Sequence, residues 1–200
     1  MAPNVVTPSR RREIEDVASA LFRERGYAAT SIRDIARQLD IQGASLYAHV
    51  ASKEDVLWAI VDRTAARFEQ TAEEIVAAPE LAADPVGQMS ALVRGHVHVI
   101  AEDVGAASVF ISEWRALSGE RRQAILARRD IYEARFRDAI ADGIAIGDFA
   151  MTDAAVAAAY LLTALNGIAT WYSPNGRLSP GRIADHYVDL ALRTLTEDHR

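Results

Sequence analysis

Cysteine is absent from the 200 residues of the chain, which excludes both a disulfide framework and a thiolate-bound metal site. Apolar residues make up 50% of the sequence, so a core can form without such cross-links. The N-terminal stretch lacks the apolar segment of a secretion signal, and the most apolar run, residues 154–171, contains the polar residues Thr163 and Asn166. We therefore expect a cytoplasmic protein with no membrane partner, in which this run forms a buried or interface helix.

The sequence also lacks the short motifs of common catalytic sites: Ser-x-x-Lys, His-Glu-x-x-His and a glycine-rich phosphate loop. His96 and His98 are close in sequence, but positions i and i+2 of a helix point to different faces. We expect one of them in the core or a pocket and the other at the surface, so no metal site is predicted. Acidic residues are spread at helical intervals as solvated faces, and the sequence predicts neither an enzyme nor a bound cofactor.

Positive charge is scarce, and the whole chain carries a net charge of −6. Its distribution is uneven, because residues 1–53 carry eight basic and six acidic side chains, whereas the remaining residues carry 14 basic and 22 acidic ones. Lys53, the only lysine, closes the basic part. A polyanionic partner such as DNA is therefore expected at the N-terminal end alone.

Apolar residues recur at helical spacing along the chain, and no run alternates as a half-buried strand does. We predict an all-α fold of about nine helices, with a three-helix N-terminal domain over residues 1–52 and a larger helical domain over residues 53–200. The first helix follows Ser9 and stops at Gly26, and a long helix runs from Lys53 towards Ala78, before a linker over residues 79–85. The other helices are predicted over residues 86–102, 105–117, 119–146, 153–173 and 180–196.

Two short helical patterns with a brief link lie within residues 30–57. The first, over residues 31–39, places four apolar side chains on one face: Ile32, Ile35, Ala36 and Leu39. Ser31 can cap this helix, with Asp34 at the position of a capping-box acid. The second pattern, over residues 42–50, keeps Leu46 and Val50 inward. Two helices so closely joined, spanning about residues 31–50, indicate a helix-turn-helix, whose second helix reads base edges in the major groove of DNA.

The chain here resembles the DNA-binding domain of TetR-family transcriptional regulators. The matching residues are Asp34-Ile35-Ala36, Leu46-Tyr47, His49 and Ser52-Lys53-Glu54, and Leu57 lies at the start of the connecting helix. Two positions differ: Asp40 stands where the family usually has a glycine in the turn, and Val50 replaces a frequent Phe. Asp tolerates the left-handed conformation better than most residues, so we expect the turn to be kept.

The predicted DNA contacts are Thr30, Ser31, Arg33, Gln42, Gly43, Ser45, Tyr47, His49 and Lys53. Gly43 allows close approach of the backbone, Ser45 and His49 suit a base edge or a phosphate, and Lys53 suits a phosphate at a helix N-terminus. The resemblance implies a phosphate contact for Tyr47. Two alternatives stay open, namely a Tyr47 packed beneath its helix and a Gln42 that only caps it.

A run of three arginines, Arg10 to Arg12, lies at the start of the first predicted helix. Such a run suits a basic arm that enters a neighbouring minor groove. It equally suits a solvated charge run in a tail, and the sequence leaves both interpretations open.

Beyond residue 80 the chain resembles the C-terminal domain of TetR-type regulators that respond to acyl-CoA thioesters. The segments that carry this resemblance are residues 110–122, 128–149 and 166–180. That subgroup commonly has Arg after its Trp-Tyr pair, where this chain has Ser173, which weakens the case for a contact to the CoA pyrophosphate. The predicted effector-binding residues are Phe110, Trp114, Tyr132, Asn166, Trp171, Tyr172 and Arg177. For each aromatic residue the alternative is plain helix packing.

The last two predicted helices carry more apolar surface than a monomer readily covers. Residues 153–171 are apolar on nearly every face, and the final helix presents an apolar series at helical spacing: Ile183, Tyr187, Leu190, Ala191 and Leu195. The resemblance implies that these helices pair with their symmetry mates in a homodimer. The alternative is that both helices complete the core of a monomer.

Together these features predict a homodimeric repressor that binds double-stranded DNA at a palindromic operator and is released by a small apolar effector, with an acyl-CoA or a related acid as the candidate. An activator of the same fold is one alternative. Others are a helical protein that binds a ligand or partner but not DNA, and a helical hydrolase or transferase that acts on an acyl-CoA.

Overall fold

A computed structural model describes residues 10–150 and 153–196 of the chain. Within these residues the chain forms ten α-helices: α1 Arg10–Arg25, α2 Ile32–Gln38, α3 Gly43–Tyr47, α4 Lys53–Val76, α5 Pro85–Glu102, α6 Val104–Ser112, α7 Gly119–Ile146, α8 Ala154–Asn166, α9 Ile168–Trp171 and α10 Pro180–Thr196. Two short 3₁₀ turns lie at Pro79–Leu81 and Trp114–Ala116. The all-α prediction is confirmed.

Helices α1 to α3 form a small unit whose turns are held by local hydrogen bonds. Ser31 caps α2 by accepting from the Asp34 amide, and the Asp34 carboxylate accepts from the Ser31 amide, so the predicted capping box is present. Asp40 has a φ of 53°, the left-handed conformation expected at this turn. Phe22 and Leu46 are almost fully buried and anchor α1 and α3 in the shared core.

Helix α4 connects the two halves of the molecule. On one side Arg63 forms an ion pair with the buried Glu15 of α1. On the other side Asp62 and Glu69 both accept from Arg128 of α7. A displacement of α4 therefore acts on the N-terminal unit directly.

Helix α5 is packed against α4, α7 and α10, and α8 also contacts it. Its apolar side chains are buried, and so is His96, whereas His98 is exposed. The prediction that these two histidines lie in different environments is confirmed. Pro85 at the first turn and Asp84, whose carboxylate accepts from the Gly87 amide, define where α5 begins.

Two predicted helices are shorter than expected. The helix predicted over residues 105–117 ends at Ser112 and continues as a 3₁₀ turn. The helix predicted over residues 153–173 is divided at Gly167, where a Cβ atom would lie 3.1 Å from the Ala164 carbonyl oxygen. By length and composition residues 154–171 suffice to cross a membrane, but here they form two helices with 33% of the segment buried.

An apolar surface remains uncovered on α8, α9 and α10. Val156 and Tyr160 of α8 are 61% and 58% exposed, Trp171 of α9 is 51% exposed, and Leu190 of α10 is 60% exposed. The other predicted apolar positions of α10 are buried or half-buried. Large apolar side chains grouped on adjoining helices are typical of a surface that binds a partner.

Candidate DNA interface and effector pocket

The recognition helix α3 presents polar side chains around a single buried anchor. Leu46 is fully buried, whereas Gln42, Ser45, Tyr47 and His49 are exposed. Tyr47 is 57% exposed, so it does not pack beneath the helix. Gln42 stands at the N-cap of α3 without a side-chain capping bond, so the capping alternative is not realised either.

Helix α2 flanks this surface and supplies basic groups. Arg33 and Gln42 line the same open depression of about 400 Å³ between α2 and α3, together with Gly43. Ser31, also exposed, donates its hydroxyl to the Asp34 carboxylate at 2.5 Å, which leaves it as a cap at the edge of the surface. The structure thus groups Arg33, Gln42, Gly43, Ser45, Tyr47 and His49 on and beside the recognition helix.

Two of the predicted DNA contacts, Thr30 and Lys53, have side chains that close the turn between α1 and α2. Thr30 is 2% exposed, and its hydroxyl donates to the Gly26 carbonyl at 2.9 Å. The Lys53 ammonium donates to the carbonyl oxygens of Tyr27 and Thr30, both at 2.8 Å, and lies 4.1 Å from the centre of the Tyr27 ring. Both side chains bond to backbone carbonyls that follow α1, and their contacts with DNA stay predictions.

Arg10 to Arg12 are the first three residues of α1. They therefore form part of a helix and belong neither to an extended arm nor to a tail. Each forms an ion pair within α1, and Arg12 also pairs with Asp103 at 3.1 Å, which ties α1 to the start of α6. These charges therefore stabilise the helix and its contact with the larger domain.

A cavity of about 220 Å³ lies among α4, α5, α6, α7 and α8. Its lining includes the predicted residues Phe110, Tyr132 and Asn166, and it also includes Phe68, His96, Leu126, Arg129, Asp130, Glu133, Ala159, Leu162 and Thr163. Trp114, the fourth predicted residue in this region, is buried next to the cavity and contacts the side chain of Arg129.

Aromatic rings form one wall of this cavity. The Phe68 ring lies 4.8 Å from the His96 ring and 5.4 Å from the rings of both Phe110 and Tyr132, measured between centres. His96 Nδ1 and the Tyr132 hydroxyl are 3.0 Å apart, and the tautomer of His96 decides which of them donates. This wall favours an apolar ligand.

Burial keeps the polar pair in this wall uncharged. It lowers the pKa of His96 from 6.5 to about 3, although a contact with Asn166 opposes the shift, and it raises the pKa of Tyr132 above its ordinary range. His96 Nε2 has no hydrogen bond of normal geometry within the described residues. A ligand in the cavity can therefore supply the partner that this nitrogen lacks.

The other three predicted effector residues lie elsewhere. Trp171, Tyr172 and Arg177 line a second cavity of about 220 Å³ in the connection between α9 and α10. Because α8 ends at Asn166, the chain turns before Trp171, and the two predicted groups of residues do not share a pocket. The predicted effector residues therefore lie at two different cavities, and their contacts with an effector stay predictions.

Sequence reasoning did not single out Phe68, Leu162 or Arg129 as residues of this cavity. Phe68 lies on the long helix that the sequence assigned to the connection between domains, and Arg129 is one of several arginines on α7. Phe68 is buried, and the packing of α4 against α5 and α7 brings it to the cavity.

The chain matches two family models. The model described as "Tetracyclin repressor-like, C-terminal domain" matches residues 82–195, and the model "Bacterial regulatory proteins, tetR family" matches residues 14–60. Among curated proteins, the HTH-type transcriptional repressor KstR2 of Rhodococcus jostii (strain RHA1) is 28% identical over 199 residues, covering 95% of this chain and 93% of the relative.

Solved structures agree with these matches. The ketosteroid transcriptional regulator KstR2 of Mycobacterium tuberculosis has a TM-score of 0.87 and 26% identity, covering 96% of this chain and 97% of that one. AibR, solved in complex with isovaleryl coenzyme A and operator DNA, has a TM-score of 0.78 and 28% identity, covering 91% of this chain and 97% of that one. The relatives are regulators rather than enzymes, and the chain belongs to the TetR family of transcriptional regulators.

Proposed function

We propose that the protein is a homodimeric repressor that leaves a palindromic operator when a small apolar effector, an acyl-CoA or a related acid, occupies the cavity beside Phe110. The observation that carries this proposal is that cavity, which combines an aromatic wall with an unpaired histidine nitrogen. It lies against α4, the helix that leads directly from the recognition helix. The curated relative KstR2 is named a transcriptional repressor, which favours repression over activation.

The DNA-binding half of the proposal rests on residues 1–52, and residues 53–200 form the effector-binding and dimerisation half. We assign DNA contacts to Arg33, Gln42, Gly43, Ser45, Tyr47 and His49, with Ser31 at the margin, because these side chains or backbone positions lie on or beside the recognition helix. A protein that reads chromosomal operators acts in the cytoplasm of a bacterial cell, which is the location we propose.

The dimer in this proposal forms through α8 and α10. Their exposed apolar residues Val156, Tyr160 and Leu190 supply a surface that a second copy would bury. A two-fold axis between the copies would place two recognition helices about 34 to 36 Å apart, in successive major grooves of a palindrome.

In this proposal the dimer leaves the operator only if the effector binds the conformer that does not fit DNA better than the conformer that does. Helix α7 lines the cavity and is joined to α4 through Arg128, so a ligand that shifts α7 also shifts α4 and the spacing of the recognition helices. A coupling free energy of about 1 to 3 kcal/mol would change operator affinity about 5- to 150-fold.

The test is selection and sequencing of DNA bound by the purified protein, repeated with acyl-CoA thioesters and with free fatty and aromatic acids. An enriched palindrome that one ligand class releases supports the proposal. A palindrome that no ligand releases removes the effector part, and no enriched sequence favours a helical protein that binds a partner instead of DNA. Turnover of an acyl-CoA would overturn the regulatory assignment.

A matched pair of variants tests the DNA surface. Arg33 on α2 and Arg122 on α7 are both exposed. Arg33→Ala should weaken operator binding and reduce the slope of log affinity against log salt by about 1, since one phosphate contact is lost. Arg122→Ala, away from both the DNA surface and the proposed dimer helices, should change neither quantity, and equal effects of the two variants would argue against the assigned surface.

A further inference from the structure

Two arginine side chains flank the indole ring of Trp114. The guanidinium carbon of Arg115 lies 4.6 Å from the ring centre, and that of Arg129 lies 5.2 Å from it. Arg129 is also 5.2 Å from the centre of the Phe110 ring. We call Phe110, Trp114, Arg115 and Arg129 the arginine–tryptophan cluster, and Arg129 connects it to the cavity beside Phe110.

Neither arginine of this cluster forms an ion pair within the described residues, although neighbouring arginines of α7 do. Arg121 pairs with Asp55 at 2.5 Å, and Arg128, the residue next to Arg129, pairs with Asp62 at 2.7 Å and Glu69 at 2.6 Å. Arg129 is only half exposed to solvent. A cation withdrawn from water is ordinarily paired with an acid, and this one has stacking contacts alone.

The surroundings of Arg129 disfavour its positive charge. Burial and the positive charge of Arg115 lower the pKa of Arg129, while Glu133 and Asp130, which also line the cavity, act in the other direction without forming an ion pair. A guanidinium remains protonated in proteins, so the unfavourable positive charge persists in the free protein. The opposite charge of an anion bound beside Arg129 would compensate both for the lost solvation and for the repulsion from Arg115.

A second observation in the same place points to a ligand. The indole Nε1 of Trp114 is buried and has no hydrogen-bond partner among the described residues, and the buried Nε2 of His96 has no bond of normal geometry there, its contact with Asn166 being a weak one. Trp114 is 5% exposed and His96 is 3% exposed, so solvent does not readily supply the missing partners. Buried polar atoms are nearly always hydrogen-bonded in folded proteins, so these two atoms beside one unpaired cation point to a ligand at this place.

We infer that the arginine–tryptophan cluster binds the anionic oxygen group of the effector, while the apolar part of the effector lies between Phe68 and Leu162. This inference rests on the proposed function and names the chemistry of its ligand: a carboxylate or phosphate joined to a short apolar chain. A cavity of about 220 Å³ is smaller than the roughly 300 to 1,000 Å³ of most small-molecule sites, which limits the enclosed part to a short chain.

The test compares three probes of equal chain length: hexanoate, hexan-1-ol and hexanoyl-CoA. Their dissociation constants are measured by calorimetry on the wild-type protein, on Arg129→Met and on Arg122→Met, which removes an exposed arginine elsewhere on α7. We expect an anionic probe to bind wild type at least about tenfold more tightly than the alcohol, as a charge-assisted hydrogen bond allows.

In Arg129→Met the affinity for that anionic probe should fall about 10- to 100-fold, and the affinity for hexan-1-ol should stay within twofold. Arg129→Lys should restore part of the loss, and Arg122→Met should behave as wild type. Binding of hexanoate identifies a carboxylate as the anion, whereas binding of hexanoyl-CoA alone identifies the phosphates of the thioester.

Three results would overturn the inference: equal binding of the alcohol, an unchanged anion affinity in Arg129→Met, or no binding of either anionic probe. The melting temperature of Arg129→Met without ligand shows that the variant is folded, and we expect it to equal or exceed that of wild type because an unpaired cation is removed. Operator binding measured on the same preparations separates the two proposals. If it persists while the anion tests fail, only the ligand assignment is lost.

Discussion

At the scale of single residues, the environment rather than the residue type decides what a side chain does. Thr30 has the hydroxyl of a typical phosphate ligand but donates it to the Gly26 carbonyl inside the protein. Lys53 has the charge of a phosphate ligand but caps the carbonyl oxygens of Tyr27 and Thr30. Asp40, in contrast, adopts the positive φ predicted from its place in the turn.

The prediction at this scale is that His96 makes the free energy of unfolding depend on pH. Its pKa is lowered to about 3 in the folded protein from 6.5, so between these values the unfolded state binds a proton that the folded state excludes. The contribution of the neutral, buried His96 to the free energy of unfolding is therefore complete above about pH 6.5, and it is lost as the pH falls towards 3. The free energy of unfolding should decrease by up to about 1.4 kcal/mol per pH unit in this window.

Urea unfolding at several pH values between 7 and 4 measures this slope. His96→Gln removes the titrating group and should flatten the curve, whereas His98→Gln replaces an exposed histidine and should leave the slope unchanged. Parallel curves for wild type and His96→Gln would show that His96 is not the group responsible.

At the scale of helices, the contact between α4 and α7 joins the cavity to the DNA-binding unit. The Ser118 hydroxyl at the start of α7 donates to Glu54 at 2.9 Å, and Arg121 pairs with Asp55 at 2.5 Å near the N-terminus of α4. Further along, Arg128 donates to both carboxylate oxygens of Glu69. These bonds lie along the length of α4, so the two helices are expected to move together.

Arg128→Met tests this contact. The substitution leaves Asp62 and Glu69 without their shared cation, and we expect the free energy of unfolding to fall by about 1 to 2 kcal/mol. Arg137→Met removes an exposed arginine of the same helix whose nearest acid, Asp138, is 3.9 Å away, and it should cost less than about 0.5 kcal/mol. Chemical denaturation measures both, and equal losses would contradict the assigned role of Arg128.

At the scale of the whole molecule, the uncovered apolar surface is the feature that a single copy leaves unexplained. A charged residue buried at an interface without a partner is strongly unfavourable. The double variant Val156→Glu with Tyr160→Glu should therefore be monomeric, with the fold kept because both side chains are mostly exposed in the single chain.

Sedimentation velocity measures the oligomeric state of this variant, and circular dichroism measures its helix content. Ala83→Glu, an exposed position in the connection before α5, adds a charge away from the proposed interface and should remain dimeric. A wild-type protein that sediments as a monomer, or a double variant that sediments as a dimer, would refute dimerisation through α8.

Much of the fold could be predicted because its signals are local. The capping box of Ser31 and Asp34, the glycine stop at Gly26 and the spacing of apolar residues all act within one or two helical turns. The ends of the helices were less predictable. The division of the predicted helix at Gly167 lies within a continuous helical pattern of apolar residues, so the pattern does not reveal it.

The sequence by itself determined the helical class, the helix-turn-helix and the family, since each depends on neighbouring residues in a recognisable order. Only the tertiary structure decided which side chains meet in the cavity, because Phe68, His96 and Arg129 come from three helices that are distant in sequence. It also decided that Thr30 is buried, that the Lys53 ammonium bonds to backbone carbonyls, and that Trp171 lies apart from Phe110. The physical reason is that burial and unpaired polar atoms arise from packing between helices, whereas helices and caps arise within them.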